Sequence, residues 1–178
     1  GRRGLFGTGN GGGTCREPAL RGTVPTRVCL EHPERQLGLD GNDAVDFHRN
    51  ILVRKIKLKN LAAHDRVAKV MHHQDFNMFG TKVGDTAYFD PELRSIVHHR
   101  GKRYLMVTCD GNGEQRIDEY ATGTSGFHGA EGTWRDAEDG NLQGNPIAQG
   151  AVDSTISHHV HLAPQGEATI YMVLVAGE

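Results

Sequence analysis

The sequence predicts an all-β fold, a large antiparallel β-sandwich, and three observations carry that prediction. Short segments rich in Val, Ile, Tyr and Thr recur from Thr26 to the end of the chain. Turn chemistry punctuates them at Gly41-Asn42, Asp110-Gly111-Asn112-Gly113 and Pro164-Gln165-Gly166. No segment carries a helical apolar stripe longer than two turns. At 178 residues the chain suits one domain with a core of its own.

Taken in order, residues 1–22 are rich in Gly and Arg without an apolar period and read as a poorly ordered arm, which leaves 23–178 as the sandwich. The arm contains Gly7-Thr8-Gly9-Asn10-Gly11-Gly12, formally G-x-G-x-x-G. A dinucleotide fingerprint needs a strand before it and a helix after it, and neither pattern flanks this one, so no cofactor is expected. Strand candidates follow as TRVCLEH, QLGLDGNDAVDF, NILVRKIKLKN, RVAKVMHHQDF, TAYFD, RSIVHH, KRYLMVTCD, STISHHVHL and EATIYMVLVAG. In NILVRKIKLKN the cations suit a strand with one wet face. Asp65 to His72 is ambiguous between strand and helix by period alone. In STISHHVHL, Ile156, His158, Val160 and Leu162 share one face, and Ser157, His159 and His161 the other. EATIYMVLVAG is apolar on both faces and should be a central strand. Residues 132–150, GTWRDAEDGNLQGNPIAQG, show neither period and read as a long loop around the chain's single tryptophan.

Composition narrows the function. Lys plus Arg (20) nearly balance Asp plus Glu (22), and no basic stripe carries interleaved aromatics, which argues against nucleic acid as a partner. No apolar run approaches the ~18 residues of a membrane span, and the start lacks the apolar region of a signal peptide, so no membrane partner and a cytoplasmic location are expected. The chain begins without Met, so a targeting segment upstream is left open. Cys15, Cys29 and Cys109 are odd in number and widely spaced, neither a disulfide framework nor a zinc pattern.

Several constellations invite chemistry. His159-Val160-His161 puts two imidazoles on one strand face, with Glu167 after five intervening residues. Metal-binding β-barrels of the cupin type place that Glu closer behind, and a further ligand would have to come from His72, His73, His98 or His99. Asp139-x-Asn141-x-Gln143-Gly144 imitates a calcium loop but lacks its last ligand, since the twelfth position is Gly150. A looser calcium site could draw on Asp136, Asp139 and backbone carbonyls, although no metal is expected. Glu131, Asp136, Glu138 and Asp139 could offer a glycosidase pair beside Trp134, which would need carboxyls about 5–9.5 Å apart and one in apolar surroundings. Asx turns explain the same acids more simply. Asp46 and Asp75 interrupt apolar surroundings, and His73, two residues before Asp75, is the natural partner for it. No Ser sits on a G-x-S-x-G elbow, so a triad has no support.

The strings DAVDFH, HHQDFNMFGTKVGDTAYFDPELRSIVHHRGKRY, YATG and above all GAEGTWRDAEDGNLQGNPIAQGAVDST resemble the N-terminal β-sandwich domain of bacterial and archaeal glucoamylase-type enzymes. These form glycoside hydrolase family 15, with glucodextranase-like and trehalase-like members, and the resemblance covers Thr23 to Glu178. It implies a supersandwich of the galactose-mutarotase type, placed in whole enzymes before an (α/α)6 barrel that supplies both catalytic glutamates. The chain would then be a non-catalytic accessory domain whose partners are that barrel and an α-glucan or trehalose. The residues expected to meet barrel or carbohydrate are Trp134, Arg135, Asp136, Asp139 and Asn145. Where the family's domain opens with further strands this chain offers its Gly/Arg arm, so an uncovered sheet edge could favour self-association. Rival readings are a free-standing metal enzyme using His159 and His161, and a glucan-binding module using Tyr120, Phe127 and Trp134. Asn145-Pro146 and the glycines at 140, 144 and 150 favour a corner that folds back and buries Trp134 over one that leaves it exposed for docking.

Overall fold

The computed structural model describes residues 27–46, 48–81, 83–111, 113–126 and 129–178. The expected arm, 1–22, lies outside them, as does Phe127. The described residues build an all-β sandwich of two antiparallel sheets. Its strands are β1 (Arg27–His32), β2 (Leu37–Asp46), β3 (Ile51–Asn60), β4 (Arg66–Gln74), β5 (Asp85–Asp90) and β6 (Ser95–Arg100). They continue as β7 (Arg103–Gly111), β8 (Glu114–Gln115), β9 (Glu119–Thr124), β10 (Ile147–Gly150), β11 (Val152–Leu162) and β12 (Glu167–Gly177). One sheet runs β1-β2-β3-β12-β7-β6-β5-β10 with β8 beside β7, and the other is β4-β11-β9.

The ambiguous segment after Asp65 is a strand, because its residues pair along β11 from Arg66 opposite Leu162 to Gln74 opposite Ser154. Alternation in β3 puts Ile56 and Leu58 into the core and Lys55, Lys57 and Lys59 on the opposite face. β12 is central, paired with β3 and β7, as expected of the most apolar segment. Only one of its faces is core, however: Ile170 and Met172 are buried while Tyr171 is 37% exposed. The Pro164-Gln165-Gly166 turn is present, with the Gly166 N–H donating to the Ala163 carbonyl. Gly41-Asn42 is not a turn. Both residues lie inside β2, where pairing with β1 on one side and β3 on the other holds them extended.

Two clusters fill the space between the sheets. Ile56, Leu58 and Ile170 of the large sheet meet Val160 and Leu162 of β11, and Ile96, Val107, Cys109 and Met172 meet Ile156. Each fully buried aliphatic side chain contributes about 1.5–3 kcal/mol. Burial pushes the Cys109 thiol up to about 12, so it behaves as a small apolar side chain. Asp46 corrects the expectation of a buried carboxylate, being exposed and accepting the His48 and Arg49 N–H groups in a turn. Among the described residues no helix is long and apolar enough to cross a membrane.

Candidate functional site

The loop at 132–150 is more structured than its sequence suggests. It opens with one helical turn, α1 (Thr133–Asp136), continues through a 3-10 turn at Ala137–Asp139, and ends as the edge strand β10. α1 is seated on β11 by a buried carboxylate. Asp153 is fully buried, and its Oδ2 accepts the Thr133 N–H at 2.5 Å, the Thr133 hydroxyl at 3.0 Å and His73 Nε2 at 2.9 Å. Because the Thr133 proton goes to the carboxylate, the Thr155 hydroxyl donates to Thr133 Oγ1 at 2.9 Å. Burial pulls the Asp153 pKa upward, but the bonds from His73 and Thr133 outweigh it and hold the carboxyl below its ordinary value. A glycine is required beside it: Gly132 has φ +91°, and a Cβ there would fall inside contact distance of Asp153 Oδ2.

The expected contact residues mostly serve the loop itself. Asp136 accepts the Gln143 N–H at 2.9 Å and Asp139 accepts the Asn141 N–H at 2.8 Å. Asn145 stitches the loop to the edge of β9, its Nδ2 donating to the Thr122 carbonyl at 2.7 Å and its own carbonyl accepting the Thr122 N–H at 3.0 Å. That pairing covers an edge that would otherwise present bare backbone groups. Arg135 is clipped between Glu131 at 3.1 Å and Glu138 at 2.8 Å, and Lys69 reaches over from β4 to the Gly140 carbonyl and Glu119.

Trp134 departs from the expectation of self-burial: it is 43% exposed. Thr133 and Ala137 are the residues of these turns that point inward, and the tryptophan between them is turned to solvent. The corner is thus rigid without help from its indole. Replacing Trp134 by Ala is therefore expected to cost no more than about 1 kcal/mol, against ~3–5 for a core aromatic. Urea unfolding measures that difference, and the parent's emission should be easily quenched by acrylamide.

Beside the corner lies an open depression of about 510 Å³, lined among others by Glu131, Arg135, Asp136, Glu138, Asp139 and Gln143. A smaller one of about 200 Å³ lies over Thr122, Gly123, Thr133 and Asn145. Trp134 lines neither. Glu131 and Glu138 are water-exposed and share one arginine, so the acidic cluster lacks the apolar wall that would keep one carboxyl protonated for glycosidic chemistry.

The other candidate groups separate. His159 lies 3.2 Å from Glu119, His161 is exposed on the same strand face, and no group of three metal-ligating side chains occurs among the described residues. Tyr120 is stacked on Phe89 with ring centroids 4.0 Å apart and is partly buried against the core, so that face of its ring is already occupied. Asp153 is the residue that sequence reasoning missed.

Comparison with solved structures finds the same chain path in a bacterial glucoamylase determined in complex with acarbose. The TM-score is 0.60, the sequences are 13% identical, and the match covers 87% of this chain but 22% of that one. The likeness is one of fold. It gives this chain a glucoamylase-like β-sandwich that spans about a fifth of the enzyme's length. No family model matches the chain, and no curated protein sequence matches it.

Proposed function

We propose that the chain is a non-catalytic accessory domain, spanning 23–178, of a glucoamylase- or trehalase-like glycoside hydrolase, and that it scaffolds a separate (α/α)6 catalytic barrel. The observation that carries this reading is the fold shared with one part of a bacterial glucoamylase. Support comes from the corner at Trp134, where a half-exposed indole stands on a turn anchored by a buried carboxylate. A large aromatic with only two side-chain torsions, presented from an anchored turn, loses little conformational entropy on binding, which suits it to meet a second domain or the face of a sugar ring. Carbohydrate contact is the second reading, and it rests on Trp134 with Arg135, Asp136, Asp139 and Asn145 around it.

The purified chain is expected to release no glucose from maltooligosaccharides or trehalose above a buffer blank. Glucose release that disappears on substitution of Glu131 or Asp136 would overturn the proposal. Maltooligosaccharide titration followed by Trp134 fluorescence separates the two readings: saturable quenching assigns the corner to carbohydrate, and an unchanged signal leaves it to the catalytic domain.

A further inference from the structure

The interior of the sandwich holds histidines that none of the preceding chemistry uses. His98 on β6 is 1% exposed and faces β11 and β4 across the gap between the sheets. Its Nε2 lies 2.8 Å from Ser154 Oγ, and that hydroxyl donates to Gln74 Oε1 at 3.1 Å. Since the single Ser154 proton is committed to Gln74, His98 must donate from Nε2, which leaves Nδ1 as a bare lone pair. That nitrogen is buried with no hydrogen-bond partner, and the edge of Phe76 closes the pocket at 5.0 Å between ring centroids. His72 on β4 is half-buried as a residue, but its Nε2 too is buried without a partner.

A neutral imidazole tolerates this placement, because a lone pair left unbonded costs far less than a charge. An imidazolium does not, because its second N–H would be buried with no acceptor in hydrogen-bond reach. Charged neighbours do not rescue it. At His72 the facing Arg54 on β3 and His158 on β11 both oppose a positive charge. At His98, Asp153 and Asp75 favour the charge and His73 opposes it, but burial outweighs all three.

We infer that this seam is an acid-sensitive latch: protonation of His72 and His98 opens the sandwich by forcing the three-stranded sheet away from the nine-stranded one. The inference stands independently of the proposed function. Burial holds both imidazoles at about 4 in the folded chain, against 6.5 for the free side chain. The unfolded state therefore binds the two protons first. Stability that is whole above pH 6.5 is lost as pH falls from there toward 4. The Asp153 and Asp118 carboxyls, both held below their ordinary value, remain ionised across that window, so the histidines give way before them.

The test is urea unfolding of the whole chain, followed by far-UV circular dichroism, between pH 7.5 and 4.5. Two protons taken up on unfolding make the unfolding constant rise by up to about a hundredfold per pH unit within the window. The double variant His72→Met, His98→Gln, in which the glutamine amide can still donate to Ser154, is expected to remove most of that slope. A slope unchanged in a double variant that is folded at pH 7.5 overturns the inference. Should the variant not fold, proton NMR of the parent decides the matter. Two imidazoles that stay neutral in the native state down to pH 5 support the latch, and native titration of all histidines near 6.5 overturns it.

Discussion

Replacing Asp153 by alanine is expected to destabilise the chain by about 3–5 kcal/mol, more than any other single truncation near the candidate site. The carboxylate is fully buried and is the shared acceptor for the Thr133 N–H, the Thr133 hydroxyl and His73. Removing it strands the two Thr133 donors where water does not reach and takes from His73, itself a third exposed, its buried partner, and breaking such an arrangement from one side costs this much. Asp153→Asn should fall between, since it keeps the shape and one acceptor oxygen but loses the charge. Because Trp134 stands on the turn that Asp153 holds, its fluorescence anisotropy should drop in the alanine variant even where the sheets survive. The Asp153 contribution is present above the ordinary carboxylate pKa of 3.8 and is lost as pH falls through the lower folded value. The alanine deficit should accordingly shrink only in strong acid. A loss under about 1 kcal/mol in urea unfolding, with anisotropy unchanged, would show that the corner is held some other way.

The second large effect is expected at Gly111. This residue has ordinary strand geometry, opposite Ile170 and Glu114, so backbone strain is not the issue. A Cβ built there would fall inside contact distance of the His158 ring, reaching Nε2 first and standing 2.9 Å from Cε1. The ring has nowhere to go: it is 6% exposed, and its Nδ1 donates to the Arg116 carbonyl at 3.1 Å with Asp118 3.5 Å away. Gly111→Ala should therefore cost about 1–3 kcal/mol, the usual range for forcing a methyl group into a filled core. A double-mutant cycle identifies the cause. In a His158→Ala background the same glycine substitution should be nearly neutral, and a penalty that persists there would place the strain in the β7–β12 pairing instead.

The architecture was legible where alternation and apolar runs are strong. β3, β7, β11 and β12 each carry the pattern, and the most apolar of them, β12, is indeed central. What escaped has physical reasons. β9 and β10 are short and built largely from Gly, Ala, Thr and Gln, so they announce themselves only through partners: β9 through β11, and β10 through β5. Gly41-Asn42 has the composition of a turn, yet two neighbouring strands are enough to hold it straight. In STISHHVHL alternation separates the two faces, but the polar one is not simply wet. Thr155 is buried beneath α1 and Ser157 is buried as well. Asp153 was invisible because its partners lie 20 and 80 residues away in the chain. A lone tryptophan in a glycine-rich loop carries no sign of which way it will face. Thr133, buried beside it, shows that the inward position went to the smaller residue that could reach Asp153.

The place of β12 has a consequence for how the chain comes to be folded at all. This strand joins β1-β2-β3 to β7-β6-β5-β10, yet it is translated after every strand it joins. While the ribosome is still upstream of residue 167, the large sheet exists as two halves with raw inner edges at β3 and β7. Neither half can close, and all the pairing that unites them spans 108 residues or more on the β3 side and 59 or more on the β7 side. Such topologies fold in milliseconds to seconds rather than microseconds, because loop entropy is lost before the contacts return it. Vectorial synthesis thus leaves a nascent chain whose two open seams wait for one strand. During that interval β3 and β7 present unpaired edges of the kind that recruit other chains, a hazard the packing of the finished sandwich removes.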